Sequence, residues 1–115
     1  MKVREILPII DARALTGETA MDREVLSGYA CDLLSWVMAH GSDSMAWVTV
    51  QTHMNVIAVA TLHDMSCVII PEGAQADAEV VAKAAEEGIA ILVSGLSAFE
   101  ISGKLFAAGI GASAQ

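Results

Sequence analysis

Three histidines, two cysteines and one adjacent Asp-Arg pair are the residues of this 115-residue chain whose types suggest chemistry. His40, His53 and His63 form neither HxH nor HExxH, the spacings that bring two imidazoles onto one metal, so no zinc site is expected. Cys31 and Cys67 make no CxxC pair and cannot supply the four thiolates of an ordinary iron–sulfur cluster from one chain. They read as two buried, reduced thiols, and no cofactor is expected. His53 could serve as a general base or a ligand contact. No Ser, Cys or carboxylate stands at motif spacing from it, and a capping or surface imidazole is the simpler reading. His40 suits the last turn of a helix, where its charge meets the helix dipole, and His63-Asp64 reads as another helix end. Asp22 and Arg23 sit in a loop. A guanidinium there could clamp a carboxylate or phosphate, the alternative being an ion pair within the domain or between subunits.

No GxxxxGK[ST], GxGxxG or GxSxG motif occurs, and Gly109 and Gly111 follow a helical pattern where a nucleotide loop would follow a strand. No nucleophile–base–orienter set is visible. An enzyme using His53 or Asp32 is therefore the minority reading, and a non-enzymatic domain is expected.

These residues must be positioned by a regular framework. Val3, Ile6, Leu7 and Ile10 have helical spacing, cut short by Pro8 and Asp11. Asp11–Thr16 reads as a short strand, and residues 17–22 as a loop. Glu24–Cys31 reads as a strand broken by Ser27-Gly28. Asp32 looks like an N-cap, ahead of a helix with Leu33, Trp36, Val37 and His40 on one face and Gly41 as its stop. Met45–Gln51 alternates as a strand does. His53–Leu62 is helical and apolar almost all round, with Met54, Ile57, Ala58 and Leu62 as one stripe, so it is expected to be buried on more than one side. Ser66–Ile70 is an unbroken apolar run suited to a central strand. Asp77 caps a helix through Glu87 that turns Val80, Val81, Ala84 and Ala85 inward and carries a Glu79–Lys83 pair outside. Ile89–Val93 is another buried strand. Ser97 and Glu100 then form a capping box, with Leu96 and Ile101 as its hydrophobic staple, opening a last helix to about Ala108. The order strand–helix–strand–helix–strand–helix implies right-handed crossovers. The fold class expected is α/β, with a mostly parallel sheet and flanking helices. One domain should span residues 1–110, with 111–115 as a flexible tail.

Composition narrows the partners. Acidic residues outnumber basic ones 14 to 6, a net charge of −8 with no basic run, which disfavours nucleic acid and anionic membrane surfaces. The opening MKVREILPIID is neither a signal peptide nor a span, so a cytoplasmic location is expected. Hydrophobic residues make up 55% and charged residues only 17%, more apolar than a small domain can easily hide, and self-association is the natural outlet.

In open α/β sheets ligands bind beyond the carboxyl ends of the strands. Those ends carry Gln51, Thr52 and His53, then Glu72-Gly73, then Ser94 to Ser97. Gln51, Thr52, His53, Ser94 and Ser97, with Asp22 and Arg23, are the candidate ligand-binding residues, although turn and capping roles also account for them.

The chain resembles the DRTGG domain family over nearly its whole length. The resemblance lies in KVREIL at the start, LTGE at Leu15–Glu18 and MDREVLSGYACDLLSWVM at Met21–Met38. It continues through WVTVQTHMNVIAVATL at Trp47–Leu62 and LSAFEISGKL at Leu96–Leu105. Asp22 and Arg23 match the naming motif, while Glu24 and Val25 stand where Thr and Gly would. The resemblance implies a fold similar to the N-terminal domain of HPr kinase/phosphorylase. Such domains occur beside CBS domains and in some phosphotransacetylases, with a regulatory or dimerising role. Stand-alone versions are found near genes for iron hydrogenases. The expectation is a homodimeric regulatory domain binding a small metabolite or nucleotide at the strand ends. The alternative is a structural adaptor or assembly factor for a redox enzyme such as an iron hydrogenase.

Overall fold

A computed structural model describes residues 1–111. Five strands make one sheet in the order β1-β5-β4-β3-β2: β1 (Ala12–Ala14), β2 (Ser27–Ala30), β3 (Met45–Val48), β4 (Cys67–Ile70) and β5 (Ala90–Ser94). The β2–β3, β3–β4 and β4–β5 pairs are parallel, and β1 runs antiparallel to β5 along the edge. The helices are α1 (Val3–Ile9), α2 (Leu34–His40), α3 (Met54–Leu62), α4 (Ala78–Glu86) and α5 (Ala98–Ala107). The α/β class expected from the sequence is the one observed.

Alternation along the strands sorts the core into two layers. Ala46, Val48, Cys67, Ile69, Ala90 and Leu92 face α1 and α5. Met45, Trp47, Val68, Ile91 and Val93 face the opposite way, toward α2, α3 and α4. The reason is topological. From β2 to β5 the strands advance in one direction, so three right-handed crossovers must all land on one face. Helix α5 then leaves β5 for the other face.

Local sequence explains several boundaries. Asp11 adopts φ +52°, turning the chain from α1 into β1. β3 ends at Val48; Thr49 N still donates to Ile69 O of β4, and the chain then turns away as Asp32 Oδ1 accepts from Thr49 Oγ1 at 2.8 Å and from Val50 N at 2.9 Å. Asp32 is therefore a clasp between two loops; the N-cap position of α2 belongs to Leu33. Ser27-Gly28 does not interrupt a strand but opens β2. The C-terminal segment packs beside it: a Cβ on Gly28 would stand 3.4 Å from Ile110 Cγ2, in ordinary contact. Gly28 N donates to Gly111 O, and Ile110 is buried, so residues 109–111 are docked; the rest of the expected tail, 112–115, lies outside the described residues.

Three helix readings change. In α3 the buried side is Val56, Ile57, Val59 and Ala60, while Met54 and Leu62 are 40% and 66% exposed. A helix apolar all round carries no internal sign of which side faces the sheet. In α2 only Val37 is buried, and Leu33, Trp36 and His40 are exposed. On α4, Lys83 pairs with Glu86 and Glu87, two carboxylates together outcompeting Glu79. Asp77 occupies the N-cap position of α4 without a side-chain cap bond. The Ser97–Glu100 capping box is present in full: Glu100 N donates to Ser97 Oγ at 3.2 Å and Ser97 N to Glu100 Oε1 at 3.3 Å.

Candidate functional site

The carboxyl ends of β4 and β5 are where the chain's winding changes face. The loop after β4 leads to α4 on one side of the sheet, and the loop after β5 leads to α5 on the other. Adjacent strands with diverging exits leave a crevice between them, the arrangement at which open α/β sheets bind ligands. Here the two exits are joined at their base, and the space left is a cleft of about 590 Å³ on the α4 side, bounded by β1 and the end of β5 on one hand and by the loop from β4 to α4 on the other. Pockets that hold small molecules fall in the range of roughly 300–1,000 Å³.

Each wall follows from the fold. Arg13 lies opposite Val93 in the β1–β5 register, and the alternation of β1 sends it away from Ala12 and Ala14, which face α1. It lines the cleft with Leu15 and Val93. Residues Gly73–Ala76, leading into α4, form the facing wall, and Asp11, Ser94 and Gly95 close the end. Glu72 and Gly73 have φ +59° and +67°, a two-residue left-handed turn closed by Ala74 N donating to Pro71 O. That turn aims Gly73 N at Ser94 O and Glu72 N at Leu96 O, stapling the two loops side by side. Ser94 is 2% exposed; its hydroxyl donates to Ile10 O at 2.6 Å and accepts from Leu96 N at 3.1 Å. It fixes the end of the cleft. The charges in the lining are one guanidinium, Arg13, and one carboxylate, Asp11.

The remaining candidates are spread along and beyond this edge. Ser97 starts α5, its hydroxyl engaged with Glu100. Gln51, Thr52 and His53 follow β3, two strands from β5, or about 10 Å along the sheet at ordinary strand spacing. Gln51 is tied down, its Nε2 donating to Asp32 O at 3.2 Å and its backbone N to Thr49 Oγ1. His53 is exposed at the N-cap of α3, with no side-chain cap bond. Asp22 and Arg23 are not brought to this edge. Arg23 donates to Met65 O and Asp64 O, each at 3.0 Å, and pairs with the Asp64 carboxylate, clamping the turn that enters β4 from the opposite end. Asp22 pairs with Arg4 of α1, which also holds Glu18. Arg4 lowers the Glu18 pKa chiefly by hydrogen bonding to its carboxylate.

Sequence reasoning missed Arg13, and it put Glu72-Gly73 at the strand ends without counting Gly73 among the candidate ligand-binding residues. Arg13 was hidden in a strand too short to show a period, although its scarcity among six basic residues was a usable signal. Pro71-Glu72-Gly73 carried the turn signal but not the direction of the loop. Among the described residues no three His, Cys, Asp or Glu side chains lie close enough to hold a metal ion, and no helix is long and apolar enough to cross a membrane. Burial pushes the Cys67 thiol up to about 12, which keeps it protonated and unreactive.

No protein-family model and no curated protein matches this sequence. Among solved structures, a similar one is the crystal structure of the CBS and DRTGG domains of the regulatory region of Clostridium perfringens pyrophosphatase, complexed with its activator, diadenosine tetraphosphate. The two superpose with a TM-score of 0.69 at 12% sequence identity, over 90% of this chain and 45% of that chain. This chain thus spans less than half the length of that one. The likeness is one of fold, in keeping with the expected DRTGG-like α/β architecture, and the region it falls in is described as regulatory.

Proposed function

We propose that this chain is a non-enzymatic regulatory domain that binds a small metabolite or nucleotide at the carboxyl edge of its sheet and works as a homodimer. The observation that carries the reading is the cleft between the β4 and β5 exits, of ligand-binding size and lined by Arg13, Gly73, Ser94 and Gly95. The kinship of fold with a regulatory region complexed with a nucleotide activator supports it. One cation beside one carboxylate suits a ligand with a single compact anionic group next to a polar or apolar body. Gln51, Thr52, His53 and Ser97 would meet only a ligand long enough to run along the edge, such as a dinucleotide. The two unpaired cysteines are compatible with a reducing compartment, and the reading places the chain in the cytoplasm.

A thermal-shift panel of AMP, ATP, diadenosine tetraphosphate and acetyl phosphate tests this. A ligand that binds only the folded state at a hundred times its Kd stabilises by about 2.7 kcal/mol, and the shift should vanish in Arg13→Glu. No stabilisation by any compound in such a panel would count against a sensor. It would favour the second reading, a structural adaptor for a redox enzyme such as an iron hydrogenase, for which the exposed apolar residues of α2 and α3 speak.

A further inference from the structure

Helices α3 and α4 lie side by side on one face of the sheet, yet their outer surfaces differ in kind. Helix α4 turns Glu79, Lys83, Glu86 and Glu87 outward, as a solvated helix does. Helix α3 turns out Met54, Ala58 and Leu62 with only Asn55 and Thr61 between them. Its other neighbour, α2, adds the exposed Trp36, with Leu33 just before it. From residue 33 to residue 63 the sequence contains one charged residue, Asp43, in a chain of net charge −8.

We propose that this α2–α3 face is where a second copy of the chain docks, with the two α3 helices crossing antiparallel about a twofold axis at Ala58. The proposal rests on the homodimer reading above and supplies its geometry. Met54, Ala58 and Leu62 are four residues apart, so they form one ridge of the helix, large–small–large about its centre. A twofold axis perpendicular to that ridge sets Met54 against the partner's Leu62 and Ala58 against its own copy. The small residue at the crossing lets the helix axes approach to the near end of the usual 8–10 Å. Charge selects the occupant. Two copies of an acidic chain repel wherever their carboxylates meet, and an isologous contact brings each patch against itself. A face without charge is the one on which self-contact costs least, and depletion of charge marks homodimer cores. Exposed Leu33 and Trp36, the latter stacked on His40, continue the uncharged surface onto the neighbouring helix α2. A standard interface needs about 800 Å² per partner, roughly a seventh of the 5736 Å² surface of this chain. The cleft lies beyond α4 on the far side from α2, so dimer and ligand do not compete.

The test is sedimentation equilibrium over a hundredfold concentration range, with circular dichroism on every variant. Wild type should run at twice the 12.0 kDa chain mass, and Ala58→Glu, which sets two carboxylates face to face at the axis, should raise the dimer Kd more than ~100-fold without loss of helix signal. In a Cys31→Ser background, A58C should oxidise to a covalent dimer, whereas A82C, on the outer face of α4, should not. A monomeric wild type would overturn the dimer reading itself. A dimer that survives Ala58→Glu, or that dissociates only on Phe106→Glu in α5, would overturn this interface alone. If Ala58→Glu does not fold, the A58C cross-link decides.

Discussion

Asp32 shows how one side chain can order the carboxyl edge of the sheet. Its carboxylate holds Thr49 and Val50 across 17 and 18 residues of sequence, and its carbonyl receives Gln51. Asp32→Ala should cost about 1–2 kcal/mol in urea unfolding, since it frees a charge-assisted pair of hydrogen bonds at a partly wet site. Gly41 is the tightest glycine: a Cβ there would stand 2.8 Å from both His63 Cδ2 and Met65 Cε and 2.9 Å from Val37 O. Gly41→Ala should therefore destabilise by about 1–3 kcal/mol, read as a lowered Tm. The thiols give a third expectation. A disulfide reagent should titrate Cys31 in the native protein and Cys67 only after denaturation. The folded Cys67 keeps its proton up to about 12, while an unfolded thiol ionises near its ordinary value of 9.0. Above that value the unfolded chain binds fewer protons than the folded one, so this group makes stability fall as pH rises beyond about 9. At this scale the sequence is readable where partners are close. Ser97 and Glu100, three residues apart, were legible as a capping box; the Asp32 clasp was not, because its partners arrive only when β2 and β3 pair.

Among the elements, the best-defined start is that of α5. Ser97→Ala should weaken the domain by about 1 kcal/mol in chemical denaturation, the usual worth of an N-cap hydroxyl. Helices α4 and α5 could be oriented from their sequences because each has a polar side. Helix α3 could not, since its apolar residues surround it and the sheet decides which four are buried. The same ambiguity is what exposes Met54 and Leu62 and makes α3 the contact helix of the proposed dimer. Strand β2 was obscured for another reason. Ser27-Gly28 is a turn signal locally, but Gly28 is held in the sheet by its pairing with β3 and by its backbone N–H donating to Gly111 O of the C-terminal segment.

For the whole molecule, alternating apolar strands and capped helices sufficed to give the α/β class, because βαβ handedness leaves few arrangements. They also gave the carboxyl edge as the place to look. The exact seat of the cleft depended on β1, whose antiparallel return beside β5 contributes Arg13 and Asp11 from the start of the chain to a site otherwise built from its second half. Arg23, the more conspicuous basic residue in sequence, serves instead to clamp the opposite end of β4.

The proposed ligand would sit in the cleft between the β4 and β5 exits. The most direct test is amide chemical-shift mapping by NMR during titration with the nucleotide that gives the largest thermal shift. The perturbed amides should cluster at Asp11–Leu15, Gly73–Ala76 and Val93–Gly95, and Arg13→Glu should abolish the perturbation. Shifts centred instead on Asp22–Arg23 or on the outer face of α3, or no shifts at saturating nucleotide, would contradict it.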